Sequence, residues 1–143
     1  MKEIDAFSYE CGVIDCFNEM VRAGLKRLAL AHPCDTAAQR DAYLPFCRQI
    51  CARYGTKYFV EDDPLLTDLF PVSMNRGKYN ILFYREDGVL GAYQGIKADK
   101  RALVASGAYA GEARRQIALR FGALLSYPME GCARLIAENH ERE

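Results

Sequence analysis

The sequence predicts an α/β protein with a small, mainly parallel three-stranded sheet, helices on both sides of that sheet, and an all-helical C-terminal third. Three observations predict this class. A unit of amphipathic helix, glycine and short apolar run occurs twice in succession. A third apolar run, YNILFYR at 79–85, shows little alternation, which is typical of a strand covered on both faces. Most of the chain after residue 86 has its apolar side chains at helical spacing.

Length and composition favour one domain. The 143 residues, half of them hydrophobic, suffice for a single core over 1–143, with an αβαβ-β part at 1–85 and a helical part at 86–143. Nineteen basic and nineteen acidic side chains balance, so no net field attracts a polyanion, and nucleic acid is not expected as a partner. MKEIDAFSYE lacks a secretory apolar region and no window is long enough to cross a bilayer, which predicts a cytoplasmic protein without a membrane partner.

The first unit begins with a helix predicted over 10–23, where apolar residues recur at helical spacing. Gly24 follows and favours a helix end. The next stretch, LKRLALA at 25–31, fits either a short buried strand or a continued helix, because Leu, Ala, Lys and Arg all favour helix. The repetition of the same form in the next unit favours the strand.

The second unit begins with a helix that Asp35 or Thr36 can cap and that places Arg40 on its outward face. Pro45 lies inside the periodic stretch, so the helix either kinks there or restarts with the proline in its first turn. Gly55 ends the helix. The following TKYFVEDDP is rich in β-branched and aromatic residues and predicts the second strand.

The part after the third strand is predicted to be helical, with one ambiguity. Residues 87–96 fit a helix that Asp87 caps, or an antiparallel strand that returns after an Asp-Gly hairpin turn. The apolar stripe favours the helix, although two glycines weaken it. Further helices are predicted at about 111–125 and at 128–139.

The stretch FGALLSYPME at 121–130 resembles an LGYP turn between two helices in a family of small proteins from anaerobic Firmicutes. An apolar strand and a helical stretch precede the turn there too, so the likeness extends over about 79–141. Ser126 stands where the family's pattern has glycine, and the region around Gln116 lacks the polar signature expected before the turn. The resemblance implies a helix, a Tyr-Pro elbow and a second helix at the end of the chain, and it implies no chemistry.

Candidate metal ligands follow two of the predicted strands. His32 and Asp35 follow the first strand, and Glu61, Asp62 and Asp63 end the second. Parallel strands would bring these groups to one edge of the sheet, where carboxylates suit Mg²⁺ or Mn²⁺ and histidine suits Mn²⁺. Such a site would serve a metal-dependent hydrolase or phosphotransfer enzyme. The same residues also fit ordinary helix caps and a solvated strand end.

Zinc is not expected. The six cysteines include no CxxC pair, and in a reducing compartment they stay thiols that pack as small hydrophobic groups. Cys47 and Cys51 share a helix face, and a zinc ion there would need His32 or Cys34 as a further ligand. The tight turn that usually supplies two zinc ligands is missing.

A second set of candidates suits a small anionic molecule. Residues 64–78 predict an ordered loop with one helical turn at 65–70, and the loop ends in SMNRGK, where a glycine lies between two basic residues. The same six residues also fit a solvent-facing turn. The candidate ligands of the anion at this loop and at the first strand end are His32, Ser73, Asn75, Arg76 and Lys78.

Three functions stay open at this level: binding of a small anion at the strand ends, in a homo-oligomer; a metal-dependent enzyme; and a protein–protein interaction module with a flat aromatic patch. The sixteen Tyr and Phe side chains must supply much of the core, and a surplus at the surface would favour self-association. Whether the protein is an enzyme is undecided. Basic residues in the helical part fit an anion-facing stripe, but they alternate with acids, which favours the solvated faces of two helices. These residues are Lys97, Lys100, Arg101, Arg114, Arg115 and Arg120.

Overall fold

A three-stranded antiparallel sheet lies between two layers of helices in the computed structural model, which describes residues 2–143. The strands are β1 (Leu28–Leu30), β2 (Lys57–Glu61) and β3 (Asn80–Tyr84), in the spatial order β1-β3-β2. The helices are α1 (Ala6–Arg22), α2 (Ala37–Asp41), α3 (Leu44–Tyr54), α4 (Val72–Asn75), α5 (Asp87–Ala105), α6 (Gly111–Leu124) and α7 (Met129–Glu138). No helix within 2–143 is long and apolar enough to cross a bilayer.

The predicted parallel sheet is wrong. β3 pairs antiparallel with both neighbours, so that Leu82 faces Leu30 on one side and Phe59 on the other. β1 and β2 point in the same direction, but β3 lies between them. The connection from β2 to β3, residues 62–79, contains only the single turn α4 and lacks the longer helix that usually makes the crossover to a parallel neighbour. The end of β3 therefore lies at the opposite edge of the sheet from the ends of β1 and β2.

Both faces of the sheet are covered because its side chains alternate between two cores. Leu82 and Tyr84 of β3 pack with side chains of α5, α6 and α7, while Ile81 and Phe83 pack with those of α1 and α3. All five residues of β3 are buried, which explains why its sequence shows no alternation of polar and apolar residues. The core that contains Leu82 and Tyr84 is formed by residues of both the αβαβ-β part at 1–85 and the helical part at 86–143.

The helix around Pro45 forms as two pieces. Thr36 caps α2 with a capping box, in which its hydroxyl accepts from the N–H of Gln39 and the Gln39 side chain accepts from the N–H of Thr36. α3 then restarts with Pro45 in its first turn and ends at Gly55, whose φ of 69° is left-handed. The restart and the glycine end are as predicted.

Two local ambiguities are resolved by burial. Segment 25–31 contains the strand β1, and 87–96 lies within α5, so the hairpin alternative is wrong. Val89, Tyr93 and Ile96 are all buried and form a helical stripe that packs on the sheet. A returning strand would instead expose every second side chain. The helical turn predicted at 65–70 is also wrong, because the turn forms as α4 further along.

The elbow between α6 and α7 has the helix–turn–helix form that the Tyr-Pro stretch predicts. The N–H groups of Ser126 and Tyr127 each donate to an α6 carbonyl at 3.0 Å, which is the Schellman ending. Ser126 takes the left-handed position with φ of 65°, where the family's pattern has glycine, and its hydroxyl accepts from the N–H of Arg27. Pro128 precedes the first residue of α7. The family relationship itself stays a prediction.

Candidate functional site

Glu61, a predicted metal ligand, is a buried acceptor that joins β2 to α5. It is 3% exposed and accepts from the Tyr93 hydroxyl at 2.7 Å, the Lys97 ammonium at 3.0 Å and the N–H of Asp63 at 2.9 Å. Burial, and then the hydrogen bond to Glu61, raise the pKa of Tyr93, so its phenol stays a donor. Three protein donors satisfy this carboxylate, and it packs α5 against the strand end.

Arg40 lies across the end of β2 and the start of β3. Its Nη1 donates to the carbonyls of Glu61 at 3.0 Å and Asn80 at 3.4 Å, and its Nη2 and Nε bind the carboxylates of Asp62 and Asp41 at 2.8 and 2.7 Å. The prediction that Arg40 faces outward is wrong, since it is 4% exposed. Its guanidinium supplies positive charge at the edge where the sequence predicted a divalent cation.

His32 and Asp35 follow β1, which is separated from β2 by β3. Asp35 pairs with Lys78, and this hydrogen bond lowers the pKa of the Asp35 carboxyl. Within residues 2–143 no group of three His, Cys, Asp or Glu side chains is placed to hold a metal ion. The structure therefore does not bring the predicted metal ligands together as one set. These residues are His32, Asp35, Glu61, Asp62 and Asp63.

An open cleft of about 460 Å³ lies at the end of β1, between the first half of α1 and the segment around α4. Most of its wall is apolar. The wall includes Tyr9, Val13, Phe17, Leu30, Ala31, Phe70 and Met74, and its polar lining residues are Glu10, His32, Asn75 and Asn80. We call this space the β1 cleft.

Polar groups in the β1 cleft lack protein partners. Within 2–143, the side chains of Asn75 and His32 make no hydrogen bond, and Asn80 uses only its Oδ1, which accepts from the N–H of Ile81. Asn75 and Asn80 are 6% and 2% exposed. Their unpaired amide atoms are not fully enclosed, so they reach the cleft, where water or an entering molecule accepts their hydrogen bonds.

The residues predicted to bind an anion are only partly brought together. A second groove, of about 480 Å³, is lined by Ser73 and Lys78. His32 lines both this groove and the β1 cleft, and Asn75 lines the β1 cleft. Arg76 lies outside both spaces, with its guanidinium 3.5 Å from the carboxylate of Glu143.

Charge in these two spaces is mainly negative. Glu10, Asp35 and Glu141 line them, against Lys78 as their only lysine. Sequence reasoning missed Glu10 and Asn80 because it assigned their stretches to a helix and to a buried strand. Their positions follow from α1 crossing the end of β1, which no local pattern indicates.

Comparison of the chain with protein-family models, with curated proteins and with solved structures finds no match. The β1 cleft, with its apolar wall and unpartnered amides, is the feature from which a function is inferred below.

Proposed function

We propose that this protein binds, in the β1 cleft, a small molecule with an apolar body and a polar end that accepts hydrogen bonds. The observation that carries the proposal is that Asn75 and Asn80 line a mainly apolar cleft, where their Nδ2 groups have no protein partner and are free to donate to a ligand. A volume of about 460 Å³ is within the usual range of ligand sites.

The polar end of the ligand is expected to be neutral. Asparagine Nδ2 groups donate to carbonyl, amide or carboxylate oxygens alike. The carboxylates of Glu10, Asp35 and Glu141 repel an anion, and Lys78 is already paired with Asp35. This balance favours a carbonyl or amide over the anion that the sequence predicts for this edge.

Binding without a chemical step is the function proposed. A catalytic acid or base is usually oriented by a hydrogen bond to a neighbouring group. Among residues 2–143, neither the imidazole of His32 nor the carboxylate of Glu10 is oriented by such a bond. The cytoplasmic location is proposed as well, supported by six free cysteines, since the cytoplasm keeps thiols reduced.

The test compares benzamide with benzoate, two probes of nearly the same shape that differ in charge. Chemical-shift changes of backbone and asparagine side-chain amides are measured by NMR during each titration. We expect benzamide to shift signals of Asn75, Asn80 and Leu30, and to bind more tightly than benzoate.

The variant Asn75→Leu keeps an apolar wall and removes one amide, so it should weaken benzamide binding several-fold. Ser73→Ala, in the adjoining groove, is the matched control and should bind as the wild type does. Tighter binding of benzoate overturns the charge argument. No shift at millimolar probe, or shifts that persist unchanged in Asn75→Leu, overturn the proposed site.

A further inference from the structure

Six basic side chains line two neighbouring cavities of about 270 and 470 Å³ that are separate from the β1 cleft. Only three carboxylates line the same cavities. The basic residues are Lys97, Lys100, Arg101, Arg114, Arg115 and Arg142, and the acidic ones are Asp63, Asp68 and Glu143. The prediction of solvated helix faces is wrong for Lys97, Lys100 and Arg114, whose side chains are 13%, 14% and 21% exposed.

Glu143 lines both cavities and is held there by cations from three parts of the fold. Lys100 of α5 donates to its Oε1 at 2.5 Å, and Arg76, which follows α4, lies 3.5 Å from its Oε2. Arg114 of α6 donates to a main-chain oxygen of Glu143 at 3.2 Å. The basic side chains therefore already enclose an anionic group that belongs to the chain itself.

Tyr109 packs against two of the cations that hold Glu143. Its hydroxyl is buried and has no hydrogen-bond partner within 2–143. Its ring lies 5.3 Å from the Lys100 ammonium and 4.7 Å from the Arg114 guanidinium. Burial, and then the charge of Asp68, raise the pKa of Tyr109 to about 12, so its hydroxyl stays protonated near neutral pH.

We propose that the two cavities form one binding site for the phosphoryl group of a small phosphorylated molecule, and that the Glu143 side chain leaves when this group binds. A phosphoryl dianion compensates more of the surrounding positive charge than one carboxylate does. Its oxygens match the forked donors of Arg115, while the Arg114 fork stays on Asp68. Gly111, the first residue of α6, lines the larger cavity, and that helix start has no side-chain cap.

Displacement of Glu143 needs little rearrangement. The segment before it stays anchored, because Asn139 Nδ2 donates to the carbonyls of Asp68 and Phe70 at 3.0 Å, and the N–H of Val72 donates to the carbonyl of Glu141 at 2.9 Å. Rotation of the Glu143 side chain alone would join the two cavities, since this residue lines both.

The test measures binding of inorganic phosphate and of glycerol 3-phosphate by calorimetry at low ionic strength. We expect both to bind, and the ester to bind more tightly because its organic part enters the second cavity. In Glu143→Gln the internal competitor loses its charge, so phosphate should bind about fivefold more tightly. Lys100→Gln and Arg115→Gln should each weaken binding about tenfold.

Two further variants keep the result interpretable. Lys100 also donates to the carbonyl of Leu66, so its substitution removes a contact within the fold. If Lys100→Gln does not fold, phosphate binding by Arg115→Gln, at an exposed position, tests the site. Arg53→Gln on α3 removes a charge outside the two cavities and should bind as the wild type does. Absence of binding to both wild type and Glu143→Gln overturns the proposal, and so does equal weakening in Arg53→Gln and Arg115→Gln. Benzamide binding in the β1 cleft should be unchanged in Glu143→Gln, so each proposal can fail alone.

Discussion

The Lys97 ammonium lies 3.0 Å from the buried carboxylate of Glu61, and this pair joins the middle of α5 to the end of β2. Their side chains are only 13% and 4% exposed. Tyr93, one turn earlier on α5, donates to the same carboxylate oxygen. Because water is largely excluded, loss of one partner leaves the other charge poorly solvated.

Glu61→Gln is therefore expected to lower the free energy of unfolding by about 2 kcal/mol. Urea unfolding at neutral pH measures the change. Asp87→Asn removes the carboxylate of the exposed pair with Lys57 and should leave stability nearly unchanged. Equal effects of the two substitutions would contradict the buried role of Glu61.

Gly122→Ala is expected to destabilise the protein by about 1–3 kcal/mol, because a Cβ at this position would lie 2.3 Å from the Cys132 sulfur, where α6 packs on α7. The matched control is Gly91→Ala on α5, where the added Cβ meets nothing within 4 Å. That change should raise stability by about 0.5–1 kcal/mol. Adding Cys132→Ala should recover part of the loss in Gly122→Ala, and a purely additive double variant would show that the contact is not the cause.

Ser126→Gly is expected to stabilise the protein by up to about 1 kcal/mol. Glycine adopts the left-handed conformation of Ser126 without strain, and this gain outweighs the exposed hydrogen bond from Arg27 that is lost. Ser106 also ends a helix but has φ of −89°, so Ser106→Gly should not stabilise. Thermal unfolding of both variants decides the point, and a lower midpoint for Ser126→Gly would contradict it.

The pair of Asp68 and Arg114 predicts acid sensitivity. Two hydrogen bonds of 2.7 Å from Arg114 lower the pKa of the Asp68 carboxyl below that of the unfolded chain. The stabilisation is therefore complete above about pH 4, the ordinary aspartate value, and is lost as pH falls through the lowered pKa. Unfolding free energies measured from pH 7 to pH 2 should fall more in wild type than in Asp68→Asn. Parallel curves would exclude this contribution.

Thiol reactivity should follow burial. Burial, and then the neighbouring Cys51, raise the pKa of Cys47 to about 12, and Cys132 is buried too, whereas Cys16 is exposed. Because the thiolate is the reactive form, a disulfide reagent at pH 8 should label Cys16 first in the native protein and reach the buried thiols only on unfolding. Mass spectrometry locates the label, and fast labelling of native Cys47 would contradict the packing of α3.

Local elements were largely predictable from the sequence, because each depends on neighbours in the chain. Pro45 in a first helical turn, Gly55 at a helix end and the buried run of β3 all follow from such short-range rules. Arg40 was misplaced because helical periodicity shows only which face is polar. It does not show that two strand ends offer carbonyls to a buried guanidinium.

The sequence by itself determined most of the helices, the strands β2 and β3 and the Tyr-Pro elbow, since hydrogen bonds and steric preferences within a few residues decide them. Tertiary structure alone decided that β3 lies between β1 and β2, antiparallel to both. That arrangement separates His32 from Glu61 and brings Glu143 onto Lys100. These pairs are distant in sequence, and their contacts arise from how apolar surface is buried between layers, which is a property of the whole chain.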